Sequence, residues 1–160
     1  MRLILTCVGR LKAGPERELV TRYVDRATAL GRGLGYCGPD LREIDESRAR
    51  RPEDRKAEEA RNIRATLGVG TPFLLFDETG DTMSSADFAR WLGEMRGRGA
   101  AGFGFVIGGP DGLDPGLRAA ADRSCAFGRM TWPHQLVRIM AAEQIYRALT
   151  ILARHPYHRA

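Results

Sequence analysis

Short apolar runs alternate along the chain with longer stretches of helical periodicity, and Gly, Pro, Asp and Ser mark the boundaries between them. Five runs read as strands, at 2–8, 40–44, 72–76, 104–107 and 125–130. Between and after them the periodicity predicts helices at about 16–30, 53–67, 86–96, 115–122 and 134–153. Pro52, Ser85 and Asp114-Pro115 are suited to helix starts, and Gly68 and Gly97 to helix ends. Strict alternation of strand and helix predicts an α/β fold, a mostly parallel sheet with helices on both faces. A chain of 160 residues supports one core, so residues 1–160 are read as one domain, without repeats or a linker.

The last helical stretch differs from the others. Leu136, Val137, Ile139, Met140, Ala141, Ala142, Ile145, Tyr146, Ala148, Leu149, Ile151 and Leu152 cover most of its circumference. A surface helix carries only one apolar stripe, so this one is expected to be buried on more than one side. A second subunit is the simplest cover, which predicts a two-fold homodimer.

Composition narrows the class. Hydrophobic residues make up 43% and charged residues 28%, and no apolar run reaches the eighteen or more residues of a membrane span, so no membrane association is expected. The apolar start leads into Gly9-Arg10-Leu11-Lys12, which does not resemble a signal-peptide cleavage site. Cys7, Cys37 and Cys125 are odd in number and lack C-x-x-C spacing, which predicts reduced thiols in a cytoplasm and no zinc site. A net charge of +5 favours a polyanionic partner. The second helix interleaves acids and bases as a solvated face does, whereas Arg48-Ala49-Arg50-Arg51 before it is undiluted and suits a phosphate backbone.

Three segments near the C-terminus carry candidate chemistry. Gly102-Phe103-Gly104-Phe105-Val106-Ile107-Gly108-Gly109-Pro110-Asp111-Gly112-Leu113 runs from a strand into a glycine turn, where a ligand could approach the backbone closely. Its spacing matches neither the dinucleotide fingerprint nor a phosphate loop. Phe127-Gly128-Arg129-Met130-Thr131-Trp132-Pro133 is bulky and apolar, and reads either as a pocket wall or as core. Glu143 and Arg147 stand at i, i+4 and predict an ion pair, while Arg138, on an apolar helix, needs an acidic partner or a phosphate. The tail, Arg154-His155-Pro156-Tyr157-His158-Arg159, combines stacking rings with cations, a composition suited to RNA or to a docked tail; no third ligand accompanies its two histidines, so no metal is expected.

Taken in order, Val8-Gly9-Arg10-Leu11-Lys12, Leu75-Phe76-Asp77 to Gly80, Ser84-Ser85, the glycine segment, Pro133-His134-Gln135-Leu136-Val137-Arg138, Glu143-Gln144-Ile145-Tyr146-Arg147-Ala148 and the tail resemble the ribosomal RNA large subunit methyltransferase H family, of the SPOUT class. The resemblance implies a C-terminal trefoil knot and transfer of a methyl group from S-adenosylmethionine to N3 of a pseudouridine in 23S ribosomal RNA, on the ribosome. It implies cofactor contacts at Phe76, Gly108 and Phe127, Gly128, Arg129, Met130, Thr131 and Trp132. The tail is then expected to act on the substrate side, across the dimer, with His158, Tyr157 and Arg159 at the reacting base and Arg138, Arg154 and His155 on the RNA. A related knotted RNA methyltransferase with another target position, and a non-catalytic ribosome-binding factor, are the alternative readings.

Overall fold

The computed structural model describes residues 1–158. Its strands are β1 (Arg2–Val8), β2 (Cys37–Ile44), β3 (Phe73–Thr82), β4 (Gly102–Ile107) and β5 (Arg123–Ala126). The helices are α1 (Pro15–Gly33), α2 (Pro52–Leu67), α3 (Ser85–Gly97), α4 (Pro115–Ala120) and α5 (His134–Leu152). The five strands form one sheet in the order β2-β1-β4-β3-β5, and every pairing is parallel. Parallel neighbours require crossovers, and the helices supply them on both faces.

Side-chain alternation sorts the core into two layers. Leu3, Leu5, Cys7, Leu74, Phe103 and Phe105 face α1, α3 and α5, where they meet Val20, Ala27, Phe88, Trp91, Ala141, Ile145 and Leu149. Ile4, Val8, Phe73, Leu75 and Val106 face α2 and α4, meeting Ala60, Ile63, Leu67 and Leu117. The breadth of the apolar surface on α5 is accounted for partly within the chain, because α1 and α3 both pack against it. Leu136, near its start, remains exposed, as do Met130 and Trp132 in the segment before it.

Of the element boundaries that depart from the sequence expectation, two lie at the ends of strands that shape the site. The apolar run 125–130 is strand only to Ala126, and Gly128 at φ +115° turns the chain out of the sheet. β3 runs to Thr82 instead of ending at Phe76, because it resumes pairing with β5 after an excursion at 77–80. The cap of α3 is Ser84, which accepts from the Asp87 amide, and Ser85 bonds instead to Gln144.

A cavity at the strand ends and a docked C-terminal tail

In open parallel sheets ligands bind beyond the carboxyl ends of the strands, and here three ends converge. At the end of β3, Phe76 is followed by Asp77, whose Oδ1 accepts from the Thr79 amide and hydroxyl, both at 3.1 Å. Arg118 of α4 reaches Asp77 at 2.5 Å and donates to the Thr79 hydroxyl at 2.8 Å. The excursion closes at Gly80, which lies flat on β5: a Cβ there would sit 2.6 Å from the Cys125 nitrogen and 2.7 Å from the Ser124 carbonyl carbon. Backbone cannot yield as a side chain can, so only glycine fits.

At the end of β4 the chain turns through Gly108 to Gly112, with the Gly112 amide donating to the Gly109 carbonyl at 3.0 Å. A Cβ on Gly108 would meet Leu113 at 2.9 Å, and one on Gly109 would meet Val8 at 2.9 Å and the Glu59 carboxylate at 3.0 Å. α2 braces this turn from behind. Arg55 donates to both Asp111 carboxylate oxygens, at 2.5 and 2.9 Å, and to the Ala49 and Arg50 carbonyls. Glu59 is buried and accepts from the Ser47 amide at 3.0 Å. Burial pushes the pKa of this carboxyl up. Arg48, Arg50 and Arg51 lie exposed on the loop that Arg55 holds.

At the end of β5, Phe127 stacks on Phe76 with ring centres 4.9 Å apart and planes 12° apart. Thr131 donates to Glu78 at 3.1 Å, tying the segment before α5 to the β3 excursion. The three ends enclose a cavity of about 310 Å³. Phe76, Gly108, Phe127, Gly128, Met130, Thr131 and Trp132 all line it, whereas Arg129 is exposed and does not. Asp77, Glu78, Asp111, Arg118 and His134 also line it, and none of them was assigned a cofactor role from the sequence. Asp77 had one available signal, its position next to the apolar strand end.

Arg138 is where the structure corrects the expectation of an RNA contact. It is 4% exposed, pairs with Glu43 at 3.1 Å, and donates to the Val8 and Gly9 carbonyls at 2.5 and 3.1 Å. Its guanidinium is therefore taken up inside the fold, leaving none of it on the surface for a phosphate. Glu43 also accepts from Arg17 and from the Leu11 amide, so the Val8 to Lys12 motif wraps an internal ion pair.

The tail folds back on its own chain. Arg154 adopts φ +53°, and the His155 amide donates to the Thr150 carbonyl at 2.8 Å. Tyr157 then packs on Tyr146, with ring centres 4.7 Å apart, under the Arg147 guanidinium at 4.9 Å. Its hydroxyl donates to Glu143 at 3.1 Å, and Arg147 closes the expected ion pair to Glu143 at 2.5 Å. Burial, with Tyr23 and Glu143 adding to it, raises the Tyr157 pKa, so the phenol stays a donor at neutral pH. Arg154 and His155 are exposed. The Nδ1 of His158 is buried without a hydrogen-bond partner among the described residues, and Arg159 lies outside them. No described tail residue lines the cavity.

A parallel α/β sheet whose last three strand ends surround a ring-walled cavity with a glycine turn is of the open-sheet class, in which small ligands bind beyond the strand ends. A family model described as "Predicted SPOUT methyltransferase" matches residues 1–158. The ribosomal RNA large subunit methyltransferase H of Methylocella silvestris is 58% identical over 159 residues, covering 99% of each chain. That of Beijerinckia indica is 57% identical over 160 residues and covers 100% of each. The chain belongs to the ribosomal RNA large subunit methyltransferase H family of SPOUT methyltransferases. Among solved structures, the SpoU methyltransferase AviRb from Streptomyces viridochromogenes in complex with AdoMet aligns with a TM-score of 0.43 at 12% identity, over 96% of this chain and 61% of that one, a likeness too distant to bear on the cavity. Among the described residues no group of His, Cys, Asp and Glu is placed to hold a metal ion, and no helix is long and apolar enough to cross a membrane.

Proposed function

We propose that this protein is a cytoplasmic, S-adenosylmethionine-dependent methyltransferase that modifies N3 of a pseudouridine in 23S ribosomal RNA on the ribosome. The observation that carries the reading is the cavity at the ends of β3, β4 and β5. The Phe76 and Phe127 rings and the Leu113 side chain offer an apolar wall for a purine. Gly108 leaves the turn bare where a Cβ would press on Leu113. Asp77, Glu78 and Arg118 supply acceptors and a cation for the polar end of such a cofactor. An adenosine-bearing ligand fits this donor set.

The cofactor supplies an electrophilic methyl group on a sulfonium. Phe76, Phe127 and Trp132 hold it away from water, and the Thr131 to Glu78 bond holds the wall closed. With the cofactor bound, methylation at N3 would form an N–C bond as the sulfonium S–CH3 bond breaks and S-adenosylhomocysteine leaves, and His158 would accept the N3 proton. Tyr157 and Arg159 orient the base, while Arg154 and His155 meet the RNA from their exposed positions. In this reading the chain is a homodimer joined beside Leu136 of α5, the tail acts across the interface on the partner's cavity, and the C-terminal segment is a trefoil knot.

Incubation of the protein with labelled S-adenosylmethionine and ribosomes lacking the mark tests the reading. Mass mapping should find one methyl group on N3 of a 23S pseudouridine. A methyl on a ribose hydroxyl or another base would replace the target, and absence of cofactor binding by calorimetry at millimolar concentration would leave a non-catalytic ribosome-binding factor.

A further inference from the structure

A second cavity, of about 320 Å³, opens on the α3 and α5 side of the same aromatic stack. It shares Phe76, Cys125, Phe127 and Gly128 with the first and is otherwise lined by Thr82, Met83, Ser85, Phe88, Ala126 and Gln144. Its size is at the lower end for small-ligand sites, which span about 300 to 1,000 Å³. Two of its lining residues, Ser85 and Gln144, are polar and bonded to each other: the Ser85 hydroxyl donates to Gln144 Oε1 at 2.8 Å.

That pair is held in one orientation. Gln144 Nε2 donates to Glu143 Oε2 at 2.7 Å, so the amide oxygen faces the serine and the amide nitrogen faces the carboxylate. Glu143 is in turn fixed by Arg147 and by the Tyr157 hydroxyl. A continuous chain of hydrogen bonds thus runs from the C-terminal tail through Glu143 and Gln144 to Ser85 at the cavity wall. It leaves one amide hydrogen of Gln144 and the lone pairs of the Ser85 hydroxyl unclaimed, a donor and an acceptor on one bonded pair. That is the complement of a carbonyl next to an N–H, the edge presented by a uracil-type base.

Methyl transfer requires donor and acceptor in contact, with reacting atoms about 3 to 3.5 Å apart. An acceptor pocket must therefore share a wall with the donor pocket, and this cavity does. Resting on the methyltransferase reading above, we propose that the second cavity receives the flipped target base, with Gln144 and Ser85 reading its carbonyl and N–H edge and Glu143 as a positioning residue. Phe127, common to both cavities, separates cofactor from base and must turn aside when both are bound.

The test is steady-state methylation of ribosomes lacking the mark by Gln144→Leu and Ser85→Ala, alongside calorimetry with S-adenosylmethionine. Loss of a base-reading pair corresponds to about 10- to 100-fold. The expected result is a fall of that order in kcat/KM for ribosomes, a cofactor Kd within twofold of wild type, and partial rescue in Gln144→Asn. Should Gln144→Leu fail to fold, Ser85→Ala probes the same wall from α3. Unchanged kcat/KM in a folded variant overturns the proposal, and so does a weakened cofactor Kd, which would assign the cavity to the cofactor instead. Failure of wild-type protein to methylate would strike the proposed function, a result distinct from either.

Discussion

The cavity at the strand ends and the C-terminal tail are built on opposite principles. The cavity is shaped by backbone: Gly80 lies on β5 and Gly108 and Gly109 lie against Leu113, Val8 and Glu59, with no room for a Cβ. The tail is shaped by side chains, with Tyr157 gripped by Tyr146, Arg147 and Glu143. Backbone packing gives a site that is rigid and fails all at once when a methyl group intrudes. A side-chain network can be loosened one bond at a time, as a substrate-side element that must admit and release RNA requires. The two regions meet in α5, whose first turns bear on the cavity and whose last turns carry the tail.

The substitution expected to act most strongly lies in the buried ion pair near the start of α5, the helix that the two regions share. Arg138→Met removes the cation from a buried pair, leaving Glu43 only Arg17 and the Leu11 amide and the Val8 and Gly9 carbonyls without that donor, which should cost about 3 to 5 kcal/mol of stability in urea unfolding. Gly80→Ala should break only the cavity. Forcing a Cβ against the Cys125 nitrogen is expected to cost about 1 to 3 kcal/mol and to weaken cofactor binding at least tenfold by calorimetry. Tyr157 fluorescence and the tail contacts should be unchanged in that variant. Tyr157→Phe should loosen only the tail, at about 0.5 to 1.5 kcal/mol for one hydrogen bond, with turnover on ribosomes reduced severalfold and the cofactor Kd unaltered.

The smallest effect sharpens the backbone side of the comparison through pH. Burial raises the Glu59 pKa above its ordinary 4.5, so the folded protein holds that proton more tightly than the unfolded chain does. Its stabilising contribution is complete below the unfolded pKa and is lost as pH rises through the folded value. Glu59→Gln should therefore match wild type in thermal unfolding in acid and melt higher than wild type near neutrality. Equal melting temperatures at both pH values would show that the carboxylate is fully compensated behind the glycine turn.

Most of the fold was legible because periodicity is local. Four of the five strands and all five helices lie where the alternation of apolar and polar residues placed them, with ends shifted by a few residues. The fifth strand was overextended because the apolar run continues from Cys125 through Phe127, and the chain gives no one-dimensional sign that Phe127 leaves the sheet to stack on Phe76. The glycine turn was legible as a place of close approach, but not what approaches it, since Glu59 and Val8 come from other elements. Arg138 was legible as a cation in need of a partner. The choice between carboxylate and phosphate rested on Glu43, 95 residues away in sequence. The composition of the tail was legible too, whereas its seat on Tyr146 and Glu143 depends on the chain reversal at Arg154, which the residue type does not announce.

The division of labour between cavity and tail is tested most directly by removing residues 154–160 and measuring two quantities on the same preparation: the Kd for S-adenosylmethionine and methyl incorporation into ribosomes lacking the mark. The account predicts an unchanged Kd with incorporation abolished. A truncated protein that methylates at the wild-type rate, or one that loses the cofactor, would contradict it.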